Sequence, residues 1–167
     1  MNNQDRPTRQ GDKSAYIEQP GNVVINYGPG RQIKKCIGSI PIRPQVFLGR
    51  QENLLDIEEI LFNKDHLLLL VNGRGGIGKT TVSSWYYHQF FSRYEHLVWI
   101  VVEKSLKDSF LSLALEMGVQ FDDQWTDEQK IDNLVAGLLS LHQPILLVID
   151  NANNIEDFEK NYDWLRK

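Results

Sequence analysis

The 167-residue sequence predicts an α/β fold, with helices on both faces of a parallel sheet in three αβα layers. Three observations predict it. Short, unbroken apolar runs recur as HLLLLVNG (66–73), HLVWIVV (96–102) and PILLVID (144–150), and such runs suit strands buried on both faces. Stretches with helical periodicity separate them. The first run ends in a glycine-rich loop that leads straight into a helical stretch, and right-handed crossovers then make the strands parallel.

Each element has its own signal. Residues 1–21 are polar, with Pro and Gly and little to bury, and read as a disordered tail. Residues 22–45 read as a short strand or hairpin arm, carried by Val23, Val24, Ile25 and Tyr27, followed by an extended linker containing Pro41 and Pro44. From Val46 to Lys167 apolar periodicity persists, so this is the domain. ENLLDIEEILF (52–62) spaces Leu54, Leu55, Ile57, Ile60 and Leu61 as a helix does. A helix is expected from about Gly78 to Tyr94, and another over 106–117 with Gly118 as its C-cap. Thr126 with Gln129 three residues on is a capping box, and Ile131, Leu134, Val135, Leu138 and Leu139 mark the apolar face that follows. The last segment, NIEDFEKNYDWLRK, reads as one more helix. There is no internal repeat.

Bulk composition narrows the function. A net charge of −4 argues against a general nucleic-acid coat, which needs clustered cations. Residues 1–35 carry six cations against three anions, so the head is +3 and the remainder −7; a solvated tail explains this. Cys36 is the one cysteine, which rules out an intrachain disulfide and a thiolate metal cluster and makes a cytoplasmic setting the natural one. No apolar leader begins the chain, and no stretch approaches the ~18 apolar residues of a membrane span.

The chemistry concentrates in Gly73-Arg74-Gly75-Gly76-Ile77-Gly78-Lys79-Thr80, which fits the phosphate-loop pattern between an expected strand and an expected helix. Its glycines let backbone N–H groups turn inward around a phosphate, and the helix start adds the positive end of its dipole. Lys79 would reach the β- and γ-phosphates, the Thr80 hydroxyl would ligate Mg2+, and Thr81 extends the cradle. Asp150, at the C-terminal end of the third apolar run, would hold the metal's water shell. Asn151 follows it and can orient a water without taking its proton, so slow turnover at most is expected. Lys79, Asp150 and Asn151 are the candidate catalytic residues, with Thr80 and Asp150 the candidate metal ligands. VFLGRQENL (46–54), read physically, is an ordinary helix start with a solvated arginine. The aromatics Trp85, Tyr86, Tyr87, Phe90, Phe91 and Tyr94 read as core packing. The four histidines have no ligand spacing.

In order along the chain, VFLGRQENL, LLLLVNGRGGIGKTT, YYHQFFSRYEHLVWIVVEKS and PILLVIDNANN resemble the signal-transduction ATPases with numerous domains. The NB-ARC group of bacterial, fungal and plant regulators and immune receptors is the nearest likeness, over residues 41–160. The resemblance implies a P-loop NTPase fold in which Val46, Phe47, Leu48, Gly49 and Arg50 line an adenine pocket. It also implies that the run ending Gly78-Lys79-Thr80 is the Walker A phosphate site and Asp150 the Walker B acid. The implied function is an ATP/ADP switch in signalling or defence, closed with ADP and opening to self-associate with ATP under C-terminal sensor repeats. Nucleotides drive such a switch only through their different affinities for its two conformations.

Two departures modify that expectation. Asn151 stands where many members carry a second acid, although an Asp-Asn-Ala version also occurs in the family. The chain also stops seventeen residues after Asp150, before the family's next strand and its helical and winged-helix subdomains. A fragment truncated after the Walker B strand is therefore expected, with the 66–72 and 144–150 strands lacking their shared neighbour. Two other classes stay open. One is a partitioning-type ATPase of the ParA and MinD kind, disfavoured by Arg74 and by the 72 residues ahead of the loop. The other is an interaction fragment that no longer switches.

Overall fold

The computed structural model describes residues 33–62, 76, 78–141 and 144–165. The expected tail over 1–21, the strand-like run at 22–30 and the apolar run at 66–73 lie outside these residues. So do Arg74, Gly75 and Ile77 of the phosphate loop.

The described strands form one parallel sheet in the order β1-β2-β3: β1 (Cys36–Gly38), β2 (His96–Val101) and β3 (Ile145–Asp150). The central strand β2 has Leu97 to Ile100 all buried, as a strand covered on both faces must. Its side chains alternate between two cores. Val98 and Ile100 join Ile37, Phe110, Met117 and Leu134 on one side, while Leu97 and Trp99 join Leu54, Val82, Tyr86, Tyr87 and Leu146 on the other. The first core is roofed by α3 (Leu106–Leu111), α4 (Ala114–Met117), α5 (Asp127–Leu139) and α6 (Ile155–Leu165), the second by α1 (Gln51–Phe62) and α2 (Lys79–Gln89). The three expected layers are present. Each fully covered large side chain contributes about 2–3 kcal/mol through its buried apolar area.

β1 falls inside the stretch read from sequence as a linker. It pairs with β2 in the register Cys36 to Leu97 and Gly38 to Trp99, and Ser39 N–H then donates to the Trp99 carbonyl at 3.0 Å. Gly38 permits this approach: its φ is +79°, and a Cβ there would lie 2.4 Å from the Trp99 carbonyl oxygen. Among the described strands β3 pairs only with β2, and Leu147 is partly exposed.

Two helices are shorter than their periodicity suggests. α2 ends at Gln89 and gives way to a 3-10 turn over Phe91–Arg93, because a run of aromatics with weak helix preference meets the need to turn the chain into β2. The turn brings the Tyr94 hydroxyl to the Tyr86 hydroxyl, 2.8 Å away. Burial, reinforced at Tyr86 by this bond, pushes both phenols above their ordinary range, so both keep their protons. The expected helix over 106–117 is broken at Ser112 and Leu113. Ser109 and Ser112 hydroxyls donate back to the carbonyls of Ser105 and Ser109, and Leu113 N–H bonds to Phe110 rather than one residue further back.

Local signals elsewhere match their elements. Gly118 caps α4 at φ +70°, with its N–H bonded to Leu115 and that of Val119 to Ala114, a Schellman pair. Thr126 and Gln129 form the capping box of α5 reciprocally, at 2.8 and 3.3 Å. Leu139 departs from the expected face and is exposed. Asn154 starts α6, whose Asp157 carboxylate accepts from Leu106 N–H at 2.7 Å and so joins α6 to α3. No helix among the described residues is long and apolar enough to cross a membrane.

Candidate functional site

The site forms where the start of α2 meets the C-terminal end of β3. Gly76 and Gly78 have φ of +80° and +86°, values that cost glycine nothing and other residues appreciably. Gly78 hands the chain to Lys79 and Thr80, the first residues of α2, where N–H groups without helical partners and the dipole favour an anion. Thr80 Oγ1 donates to Asp150 Oδ1 at 2.8 Å, across 70 positions of sequence. The same carboxylate oxygen accepts from Asn151 N–H at 3.0 Å.

Ahead of α1, residues 46–50 bend at Gly49, where φ is +71°. They close an open cavity of about 290 Å3 lined by Val46, Phe47, Leu48, Arg50, Gly76, Gly78 and Thr81. Its lining thus joins the 46–50 box to the phosphate loop and the first turn of α2. The Arg50 guanidinium lies over Gly78, where an added Cβ would meet Nη1 at 3.3 Å. Phe47 is held by a stacked contact with Trp85, ring centroids 4.8 Å apart and planes 15° from parallel.

A family model, that of the NB-ARC domain, matches residues 50–165. The chain belongs to the NB-ARC family. No curated protein and no solved structure matches it. NB-ARC domains bind nucleotides and often self-associate, and membership decides against the partitioning-type ATPase that the loop alone left open. The match starts at Arg50, so Val46 to Gly49 enter the site through their geometry alone.

Within this NB-ARC domain the expected residues divide by position. Val46, Phe47, Leu48, Arg50, Gly76, Gly78 and Thr81 share one cavity, Gly49 makes the bend beside it, and Thr80 and Asp150 touch. Gly73, Arg74, Gly75 and Ile77 lie outside the described residues. Asn151 is held in the turn after β3. It sits at φ +64°, its Nδ2 donates to the Val102 carbonyl at 2.8 Å, and its Oδ1 accepts from Asn153 Nδ2 at 2.5 Å. Both ends of the amide are engaged in the turn after β3. Trp85 packs against the second core, as its aromatic run suggests, and its stack on Phe47 also puts it behind the cavity wall. The one available signal was its place one helical turn beyond Thr81.

The donor set fits a magnesium ion. A hydroxyl and a carboxylate oxygen in contact are the hard oxygen ligands that Mg2+ takes, with waters and phosphate oxygens completing its shell. Among the described residues no group of three or more His, Cys, Asp or Glu could hold a metal ion.

Proposed function

We propose that the protein is the nucleotide-responsive switch module of a cytoplasmic signalling or defence protein, taking ATP or ADP with Mg2+. The observation that carries this reading is the cavity shared by residues 46–50 and the phosphate loop, in which Val46, Phe47 and Leu48 could meet a purine and the glycines Gly76 and Gly78 at the start of α2 could meet phosphates. Thr80 and Asp150 would hold the metal, which supplies neutralisation of phosphate charge when bound. Lys79, at the first position of α2, would add a cation on the same side, and Gly73 to Ile77 would complete the phosphate cradle.

Hydrolysis is slow or absent in this reading, because Asn151 stands where a carboxylate would be needed and an amide cannot accept a proton. ATP and ADP then differ in the conformation they favour, with self-association or sensor repeats of a longer protein as the output. Calorimetric titration with ADP and with ATP, each with and without Mg2+, tests the proposal. The expected result is micromolar affinity for ADP, reduced at least a hundredfold by Lys79→Ala. Absence of heat with both nucleotides would overturn it.

A further inference from the structure

We propose that one stripe of α2, Thr81, Ser84, Trp85 and His88, is a clamp that holds the base side of the nucleotide site at a fixed distance from its phosphate side. The proposal rests on the nucleotide reading above. These four positions follow i, i+3, i+4, i+7 and share one face of the helix. Of the residues between them, Val82, Tyr86 and Tyr87 are buried in the core against the sheet.

Every member of the stripe meets the segment leading to the box or the cavity itself. The buried Ser84 hydroxyl donates to the Ile42 carbonyl at 2.6 Å. His88 Nε2 lies 2.8 Å from the Pro41 carbonyl, which can only accept, so this nitrogen carries a proton. Trp85 stacks on Phe47, and Thr81 lines the cavity. Two backbone carbonyls and one ring of residues 41–47 are therefore fastened to the same helix that presents Lys79 and Thr80 from its first turn.

A helix is stiff along its axis, so the spacing between the box and the phosphate loop is set by α2. Nothing need be transmitted through the sheet. Ser84, Trp85 and His88 are positioning residues: they place Val46 to Leu48, which line the cavity, without lining it themselves.

The clamp predicts a split between two ligands. Pyrophosphate uses the loop alone, whereas ADP uses both ends. Calorimetry of the folded protein in Mg2+ should show Trp85→Ala weakening ADP about tenfold, as loss of an aromatic anchor does, with pyrophosphate changed less than about twofold. Trp85→Phe should restore most of the ADP affinity. Should Trp85→Ala fail to fold, as judged by circular dichroism, the double variant Ser84→Ala with His88→Ala is read by the same split. Unchanged ADP affinity, or equal losses for ADP and pyrophosphate without rescue by Phe, would overturn the clamp. A wild-type protein that binds pyrophosphate but not ADP would overturn it too. Wild-type binding of neither ligand would remove the nucleotide reading and the clamp together.

Discussion

At Asn151 backbone and side chain serve the same end. A positive φ of 64° is tolerated by asparagine better than by most residues, and the amide returns to the Val102 carbonyl at the end of β2. The turn fixes the direction in which Asp150 leaves β3, and Asn151 N–H holds the carboxylate oxygen that Thr80 also contacts. Asn151→Ala loses the side-chain bond and keeps the strained φ, so we expect it to destabilise the fold by about 2 kcal/mol. Asn151→Gly loses the bond but relieves the backbone, and should cost about 1 kcal/mol. Urea unfolding of the two variants separates these terms; equal losses would show that the backbone conformation is unimportant. The sequence disclosed this residue by its place after a strand-end acid, yet not its role, since the bond to Val102 spans 49 positions.

Elements were legible in the sequence to the extent that their determinants are local. The α5 capping box and the Gly118 cap depend on residues within one turn, and both appear where expected. The break between α3 and α4 depends on serine hydroxyls that could equally have faced water, and β1 is three residues whose pairing is decided by β2. Contacts between elements are likewise set by partners far apart, as where Lys107 of α3 meets Asp127 at the start of α5, 2.7 Å away. The hydrogen bond to Lys107, then its charge, holds the Asp127 carboxyl below its ordinary value of 3.8, and the same contact raises Lys107 above 10.5. For the depressed acid, the stabilisation is complete above the unfolded value and is lost as pH falls through the lowered folded value; for the raised base it is complete below the unfolded value and lost as pH rises through the raised one. The pair is present across neutral pH and lost at both extremes, and because both side chains are exposed, solvent screening keeps its support small. Asp127→Asn should lower the melting temperature slightly at pH 7, and its difference from wild type should shrink as pH falls through the lowered folded value of Asp127. A difference that persisted undiminished in acid would assign the effect to the helix start instead.

Across the whole molecule, the phosphate loop and the acid at the end of β3 could be found from sequence because each is a short pattern, and Thr80 and Asp150 meet where α2 starts beside the C-terminal end of β3. The base side could not be found by physics alone, since its walls depend on Phe47 meeting Trp85, 38 positions away. β1, the carbonyls of Pro41 and Ile42, and the box at 46–50 follow one another along the chain, so the first of the described strands and the base side of the cavity are one continuous strap. Gly38→Ala tests that continuity. The new methyl would sit 2.4 Å from the Trp99 carbonyl oxygen and 3.2 Å from Leu113 Cδ2, at a φ of +79° that alanine resists. Backbone on one side and a packed core on the other leave little room to yield, so a loss of about 2–4 kcal/mol is expected on urea unfolding. With β1 displaced, the strap loses its upstream anchor while α2 keeps its packing on the sheet and Thr80 its contact with Asp150. In the variant that remains folded, ADP should therefore weaken more than pyrophosphate, and equal affinities for both ligands in variant and wild type would show that β1 and the cavity are mechanically independent.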